Sequence, residues 1–298
     1  MSEGRNPVGG SVLGRLAAAA SAAAAARALF GASDHVPAQA RAALERRNHR
    51  GETVTLASGP ILVLTATAAA VLGAPTARLR TAAAVAGLAA GAVGLYDDVV
   101  GARPEQKRDK GFRGHLRALG EGRVSAGLVK VAGIGAAALV AGRAVHRRPV
   151  DALLTAGVIA GTANLVNLLD LRPGRAIKAS LLIGAPVLGG PSGGVVAGPL
   201  GAAAALLPED LGERTMLGDS GANALGALLG VGIAASTGTR GRAAVLLVLA
   251  GLTAASEKVS FTKVIERTPV LREFDGLGRR APGAPAQGSA ARLPLPAR

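Results

Sequence analysis

Asn164-Leu165-Val166-Asn167-Leu168-Leu169-Asp170 closes an apolar run that begins near Val150. The run is close to the ~20 residues a helix needs to cross a bilayer, and it ends on two amides and a carboxylate. The same design recurs twice. Gly94-Leu95-Tyr96-Asp97-Asp98-Val99-Val100-Gly101 ends one apolar run with an acidic pair, and Met216-Leu217-Gly218-Asp219-Ser220-Gly221-Ala222-Asn223 opens another. A charge beside hydrocarbon is expensive, which makes these three stretches candidates for function.

Outward from them, apolar runs recur along most of the 298 residues, 49% of which are apolar and 18% charged. That composition predicts an all-α, polytopic membrane protein rather than a pair of soluble domains. Nine transmembrane helices are expected, at roughly 11–31, 53–73, 80–96, 124–142, 150–168, 177–190, 193–207, 220–236 and 242–256. The sixth and seventh, split by Gly189-Gly190-Pro191-Ser192-Gly193-Gly194, read as one broken hairpin or two tilted helices. The domain runs over 1–275, and the Pro/Gly/Ala/Arg-rich tail 276–298 is expected to be disordered. The first run resembles a signal peptide, but Arg15 and Arg27 interrupt it and many spans follow, so a retained helix is expected.

The formal charge of +15 is not read as nucleic-acid binding, because Lys and Arg lie mainly in the loops. One set of alternate loops, at 32–52, 97–123, 169–176, 208–219 and after 257, carries 22 of them; the other set carries 5. The positive-inside rule makes the first set cytoplasmic. All three polar stretches then border the cytoplasm. There are no cysteines, so disulfides, thiolate metal sites and cysteine nucleophiles are excluded, and four scattered histidines form no ligand cluster.

Adjacent residues on a helix point ~100° apart, so Asp97 and Asp98 divide their work. One can face a substrate as a base while the other holds a cation or orients its neighbour; the alternative is a pair at a helix end. Asn164, Asn167 and Asp170 lie on one stripe of the fifth helix, facing either a cleft or a neighbouring helix. Asp219, with Ser220 and Asn223, opens the eighth helix, where free N–H groups attract anions. It is a hard oxygen ligand of the kind Mg2+ takes together with substrate phosphates, and Asp98 is the expected second metal ligand. Lys130 stands inside the fourth span of a chain with 28 arginines and only six lysines, suiting it to neutralise a diphosphate or pair with a carboxylate. Lys110, Arg113 and His115 in the 97–123 loop are candidates for holding phosphate. Gly226 and Gly230 form a small-residue face suited to packing.

From Asn48 to Lys258 this pattern resembles the polyprenyl-phosphate sugar-1-phosphate transferases, which include the phospho-MurNAc-pentapeptide transferases and the UDP-GlcNAc:undecaprenyl-phosphate transferases. The resemblance rests on Asp97-Asp98, on Asn164 to Asp170, and on Gly218-Asp219-Ser220-Gly221 with Leu225-Gly226. It implies Mg2+-dependent transfer of a sugar phosphate from a UDP-sugar to a polyprenyl phosphate at the cytoplasmic membrane face, releasing UMP, for cell-envelope glycan synthesis. It further implies that Asp97 or Asp98 serves the lipid phosphate, Asp219 the metal, Asn167 and Asp170 the nucleotide, and Lys130 the embedded cationic role. The chain departs from the family in three ways. Asp170-Leu171-Arg172-Pro173-Gly174 lacks the second aspartate of the Asp-Gly-x-Asp-Gly motif, no histidine follows His146, and a polar tail stands where a further span often occurs. A catalytically silent, lipid-carrier-binding or scaffolding relative is the first rival reading. A transporter is the second, disfavoured because the carboxylates lie at helix ends and no internal repeat is visible.

Overall fold

The computed structural model describes residues 11–103, 120 and 125–281. Among them nine helices of 14 to 21 residues form the body: α1 Val12–Ala32, α3 Ser58–Gly73, α4 Ala77–Tyr96, α5 Ala126–Val145, α6 Pro149–Leu169, α7 Arg175–Leu188, α8 Gly193–Leu211, α9 Gly218–Ser236 and α10 Thr239–Ser256. Short pieces join them: α2 Ala38–Ala43, the strands β1 Glu45–Arg47 and β2 Thr53–Thr55, then α11 Phe261–Arg267 and α12 Pro269–Gly276 at the end. The starts follow local chemistry. Ser11, Thr76 and Ser125 each accept an N–H from three residues ahead, and Pro149 opens α6 where its missing N–H costs nothing.

Among the described residues the protein is all-α apart from this one small hairpin. Four helical segments are long and apolar enough to cross a membrane: Val12–His35, Ala77–Gly101, Ala126–Val145 and Pro149–Leu169. The α10–α11 pair passes only when taken together, and it is bent by 94°. α3, with 16 residues, and α7, with 14, are shorter. Large apolar side chains face outward around the bundle; Leu72 and Leu247 are each 74% exposed. A water-soluble bundle would hide such residues, whereas a lipid belt covers them.

The expected sixth and seventh spans are two separate helices, α7 and α8, divided at 189–192. The expected second span begins five residues late. Thr53-Val54-Thr55 is β-branched and pairs antiparallel with Glu45-Arg46-Arg47 instead of joining α3. Asn48 closes the turn, its Oδ1 accepting the N–H groups of Arg50 and Glu52, and Gly51 takes the left-handed backbone (φ +80°) the turn needs. β2 also docks on the segment before α9: Met216 N–H donates to Thr55 O at 2.9 Å.

α9 lies at the centre, buried along nearly its whole length. Its packing face is built on Gly226 and Gly230. A Cβ at Gly226 would lie 2.5 Å from Thr162 O, and one at Gly230 would lie 2.7 Å from Ile159 Cα, so α6 approaches backbone to backbone. At the other side of α9, Gly94 lets α4 touch the backbone of Asp219, where a Cβ would lie 2.3 Å from its carbonyl. These contacts bring the ends of α4 and α6 to the start of α9.

Candidate functional site

The three polar stretches converge at one end of the bundle, around the first turn of α9. α4 ends by widening into a π-turn over Asp97–Gly101, a distortion often found at functional sites. The turn separates the acidic pair. Asp98 points to α9: its two carboxylate oxygens accept the N–H groups of Asp219 and Ser220 at 3.0 and 2.9 Å. Asp170, just past the end of α6, lies beside Gly218. Gly218 is required here, with φ +62° and the Asp98 carboxylate 2.9 Å from where its Cβ would be.

This corrects one expectation. The start of α9 was expected to offer free N–H groups to an anion, but those of Asp219 and Ser220 are held by Asp98, which complements the positive end of the helix dipole. Asp98, the expected second metal ligand, gives one hydrogen bond from each oxygen to the helix start, and it is Asp97 that shares Lys130 with Asp219. Lys130 Nζ lies between the two, 2.7 Å from Asp97 Oδ2 and 2.6 Å from Asp219 Oδ2. The three side chains are 15–27% exposed, hence reachable from outside. Asp97, Lys130 and Asp219 therefore form the open part of the constellation.

The remaining expected residues divide. Ser220 is buried and donates to Gly91 O at 2.9 Å; Asn223 is buried and donates to Asp219 O at 2.7 Å. Both hold backbone, and neither faces a ligand as expected, because the glycine-mediated contact with α4 and α6 covers this side of α9. Asn164 donates to Thr253 Oγ1 at 3.1 Å and ties α6 to α10, the interhelical role that stood as its alternative. Asn167 is half-buried and without a side-chain hydrogen bond among the described residues. Lys110, Arg113 and His115 lie outside the described residues.

Asp170 also lines a small cleft with Asn48, His49, Arg172, Asp210 and Glu213, whose enclosed space of about 20 Å3 holds little more than a water molecule. Burial, then the neighbouring carboxylates of Asp210, Asp219 and Asp98, holds the Asp170 carboxyl well above the usual carboxylate range. Burial and the Arg172 charge hold the His49 imidazole below its ordinary value. Asp210 accepts the N–H of Gly174 at 2.9 Å and so braces the loop that follows Asp170.

Several contributors carried no signal in the sequence. Arg46, on β1, donates to the backbone carbonyl of Asp98 and fixes the π-turn from the hairpin side. Glu213 is buried with φ +57°, a costly backbone for a non-glycine residue. It accepts from Asn48 Nδ2 at 2.7 Å and pairs with Arg50 at 3.0 Å. Only the cluster Asn48-His49-Arg50, rich in polar groups just before a turn, hinted at this corner. From the expected tail, residues 276–281 are described and docked. Arg280 Nη2 lies 2.6 Å from both Glu52 oxygens, and Arg279 donates to Pro173 O at 2.9 Å. The Arg280 bond, ahead of the opposing effect of burial, holds the Glu52 carboxyl below its ordinary value.

Among the described residues no group of three or more His, Cys, Asp or Glu side chains is arranged to hold a metal ion. A bound cation would thus need oxygens from a substrate as well as from Asp97 and Asp219. No protein-family model matches this chain, and no curated protein sequence matches it.

Proposed function

We propose that this protein transfers a sugar-1-phosphate from a UDP-sugar to a polyprenyl phosphate and releases UMP. In this reading the nine long helices all span a cell membrane, with the site at its cytoplasmic face. The loop bias of 22 against 5 basic residues supports that orientation. The observation that carries the function is the Lys130 ammonium bracketed by carboxylates from two different helix ends. Phosphoryl transfer asks for positioning, a proton acceptor and neutralised charge more than for covalent help, and this set supplies all three.

Asp97 takes the proton of the lipid phosphate. An oxygen of that phosphate then bonds to the β-phosphorus of the nucleotide as the bond from that phosphorus to the bridging oxygen breaks, and UMP leaves with the oxygen. Lys130 moves from one carboxylate toward the diphosphate. Asp170 belongs both to the carboxylate group around α9 and to the small cleft beside it, and in this reading it serves the nucleotide end. The second aspartate of the family motif is absent, and Asp210 stands by the same loop through its bond to Gly174. Asp97 and Asp219 are hard oxygen donors that already share one cation, a donor set that fits Mg2+ completed by substrate phosphates. Bound there, Mg2+ would supply further neutralisation of diphosphate charge.

One observation favours the silent, lipid-carrier-binding relative. The N–H groups of α9, Ser220 and Asn223 are consumed internally, leaving few groups for a donor nucleotide. The two readings part on UMP release by purified protein in detergent, given undecaprenyl phosphate, Mg2+ and a panel of UDP-sugars. Lipid- and Mg2+-dependent UMP establishes the transferase. Bound lipid phosphate with no UMP from any donor establishes the silent relative.

A further inference from the structure

The end of the described chain is built inside out. α10 exposes Leu247, Val248 and Leu252, and the chain then turns by 94° into α11. Because α10 packs along the bundle, that turn lays α11 across its end. On α12, Asp275 is the buried residue, while Val270 is 74% and Leu271 45% exposed. Val259, Val264 and Leu277 are exposed as well. In water an amphipathic helix turns its apolar face inward; here the buried residue is a carboxylate, and Val270, Leu271, Phe274 and Leu277 stay exposed.

The inward face is ionic and tightly held. Arg175, itself buried, donates to both Asp275 oxygens at 2.9 Å and to Thr262 Oγ1 at 2.8 Å. Lys178 Nζ donates to the carbonyls of Phe274, Asp275 and Leu277, at 2.5–3.2 Å, and so caps the end of α12. The fold has thus fixed which way the apolar face points. Exposed Lys258, Lys263, Arg267 and Arg272 alternate with Glu257, Glu266 and Glu273 over the same stretch. That mixture of both signs is too costly for the hydrocarbon core and matches a layer of phospholipid headgroups.

We propose that α11 and α12 lie in the plane of the membrane interface as a lipid-bound strap. Val264, Val270, Leu271 and Leu277 dip toward the acyl chains, and Asp275 latches the strap to α7 through Arg175. The partner is the phospholipid surface. The assignment rests on the bundle's place in a membrane and is independent of the transfer reaction.

The chain has no cysteine, which makes single-cysteine labelling clean. Val270→Cys, Leu277→Cys, Glu266→Cys, Arg272→Cys and, as a mid-bundle reference, Leu88→Cys are labelled with an environment-sensitive fluorophore. The full-length protein is then reconstituted in phosphatidylethanolamine/phosphatidylglycerol vesicles. The expected result is quenching at 270 and 277 by lipids brominated near the headgroup end, at least twofold stronger than at 266 and 272, with the order reversed for aqueous iodide. Equal iodide access at all four positions, with Leu88→Cys quenched by lipid, overturns the strap alone. Shielding of 270 and 277 from both quenchers overturns it in favour of a protein partner. Loss of lipid quenching at Leu88→Cys as well overturns the membrane reading with it.

Discussion

The acidic pair should come apart under mutation, with Asp98 governing stability and Asp97 governing activity. In Asp98→Asn the side chain keeps one carbonyl oxygen for the N–H groups of Asp219 and Ser220, and its NH2 faces the other donor. Two hydrogen bonds of 3.0 and 2.9 Å to a charged acceptor become at most one to a neutral acceptor. Bonds to charged groups contribute about 1.5–3 kcal/mol each, and a favourable charge at a helix start adds up to roughly 1 kcal/mol. The loss is therefore on the order of 2–4 kcal/mol. In Asp97→Asn, Lys130 keeps Asp219 at 2.6 Å, and one negative charge leaves a crowded group. Its cost is about 1 kcal/mol or less. For a chain of this size such losses correspond to roughly 5 °C or more for Asp98→Asn and about 2 °C for Asp97→Asn.

The assay is a thermal melt of purified variants in detergent, followed by helical circular dichroism because the chain has no tryptophan. Binding of undecaprenyl phosphate and UMP release are measured below the melt. We expect Asp97→Asn to fold normally and to lose transfer, and Asp98→Asn to melt early. Equal melting of the two variants would refute the assignment of Asp98 as the anchor of α9.

Asp219→Ala should abolish transfer at every Mg2+ concentration while the protein still elutes as a folded species; normal turnover would remove Asp219 from the site. Glu213→Gly relieves a backbone strain of about 1–3 kcal/mol but removes the partner of Asn48 and Arg50. Net destabilisation of about 1 kcal/mol or more is expected, and a higher melting temperature would mean that the hairpin is not held through Glu213. Burial raises the Asp275 carboxyl, but the Arg175 and Arg279 bonds outweigh it and hold the group below its ordinary 3.8. A lowered folded value stabilises the strap above that pH and is lost as pH falls below it. Proteolysis between α10 and α12 should therefore stay slow from neutral pH down to about 4. In Asp275→Asn it should be fast at neutral pH, and equal rates in the two proteins would show that the ionic latch does not hold the strap.

The body of the fold was legible because hydrocarbon length is a strong signal. The nine apolar runs coincide with nine helices, with ends displaced by a few residues. The error at 53–57 has a clear origin: Thr53-Val54-Thr55 is apolar enough to extend a hydrophobic run, yet it forms β2 because Asn48 and Gly51, five and two residues before it, close a turn. The latch between Arg175 and Asp275 was illegible for a different reason. Its partners are 100 residues apart, and a lone Asp in a polar tail gives no hint that an arginine of a buried helix waits for it.

The site was legible as a set of residue types and illegible as a division of labour. Sequence spacing could place the aspartates at helix ends but could not say what each carboxylate touches. The partners now supply that distinction. Asp98 is held by the backbone N–H groups of Asp219 and Ser220, and those donors cannot leave without unwinding the first turn of α9. Asp97 and Asp219 are held by Lys130, whose ammonium ends a flexible four-carbon stem and can swing from one acceptor to another. A carboxylate with a fixed partner stabilises a fold, and one with an exchangeable partner is able to trade that partner for a substrate. On the proposed reading, Asp98 then serves the fold, and the transfer would run along the line from Asp97 through Lys130 to Asp219.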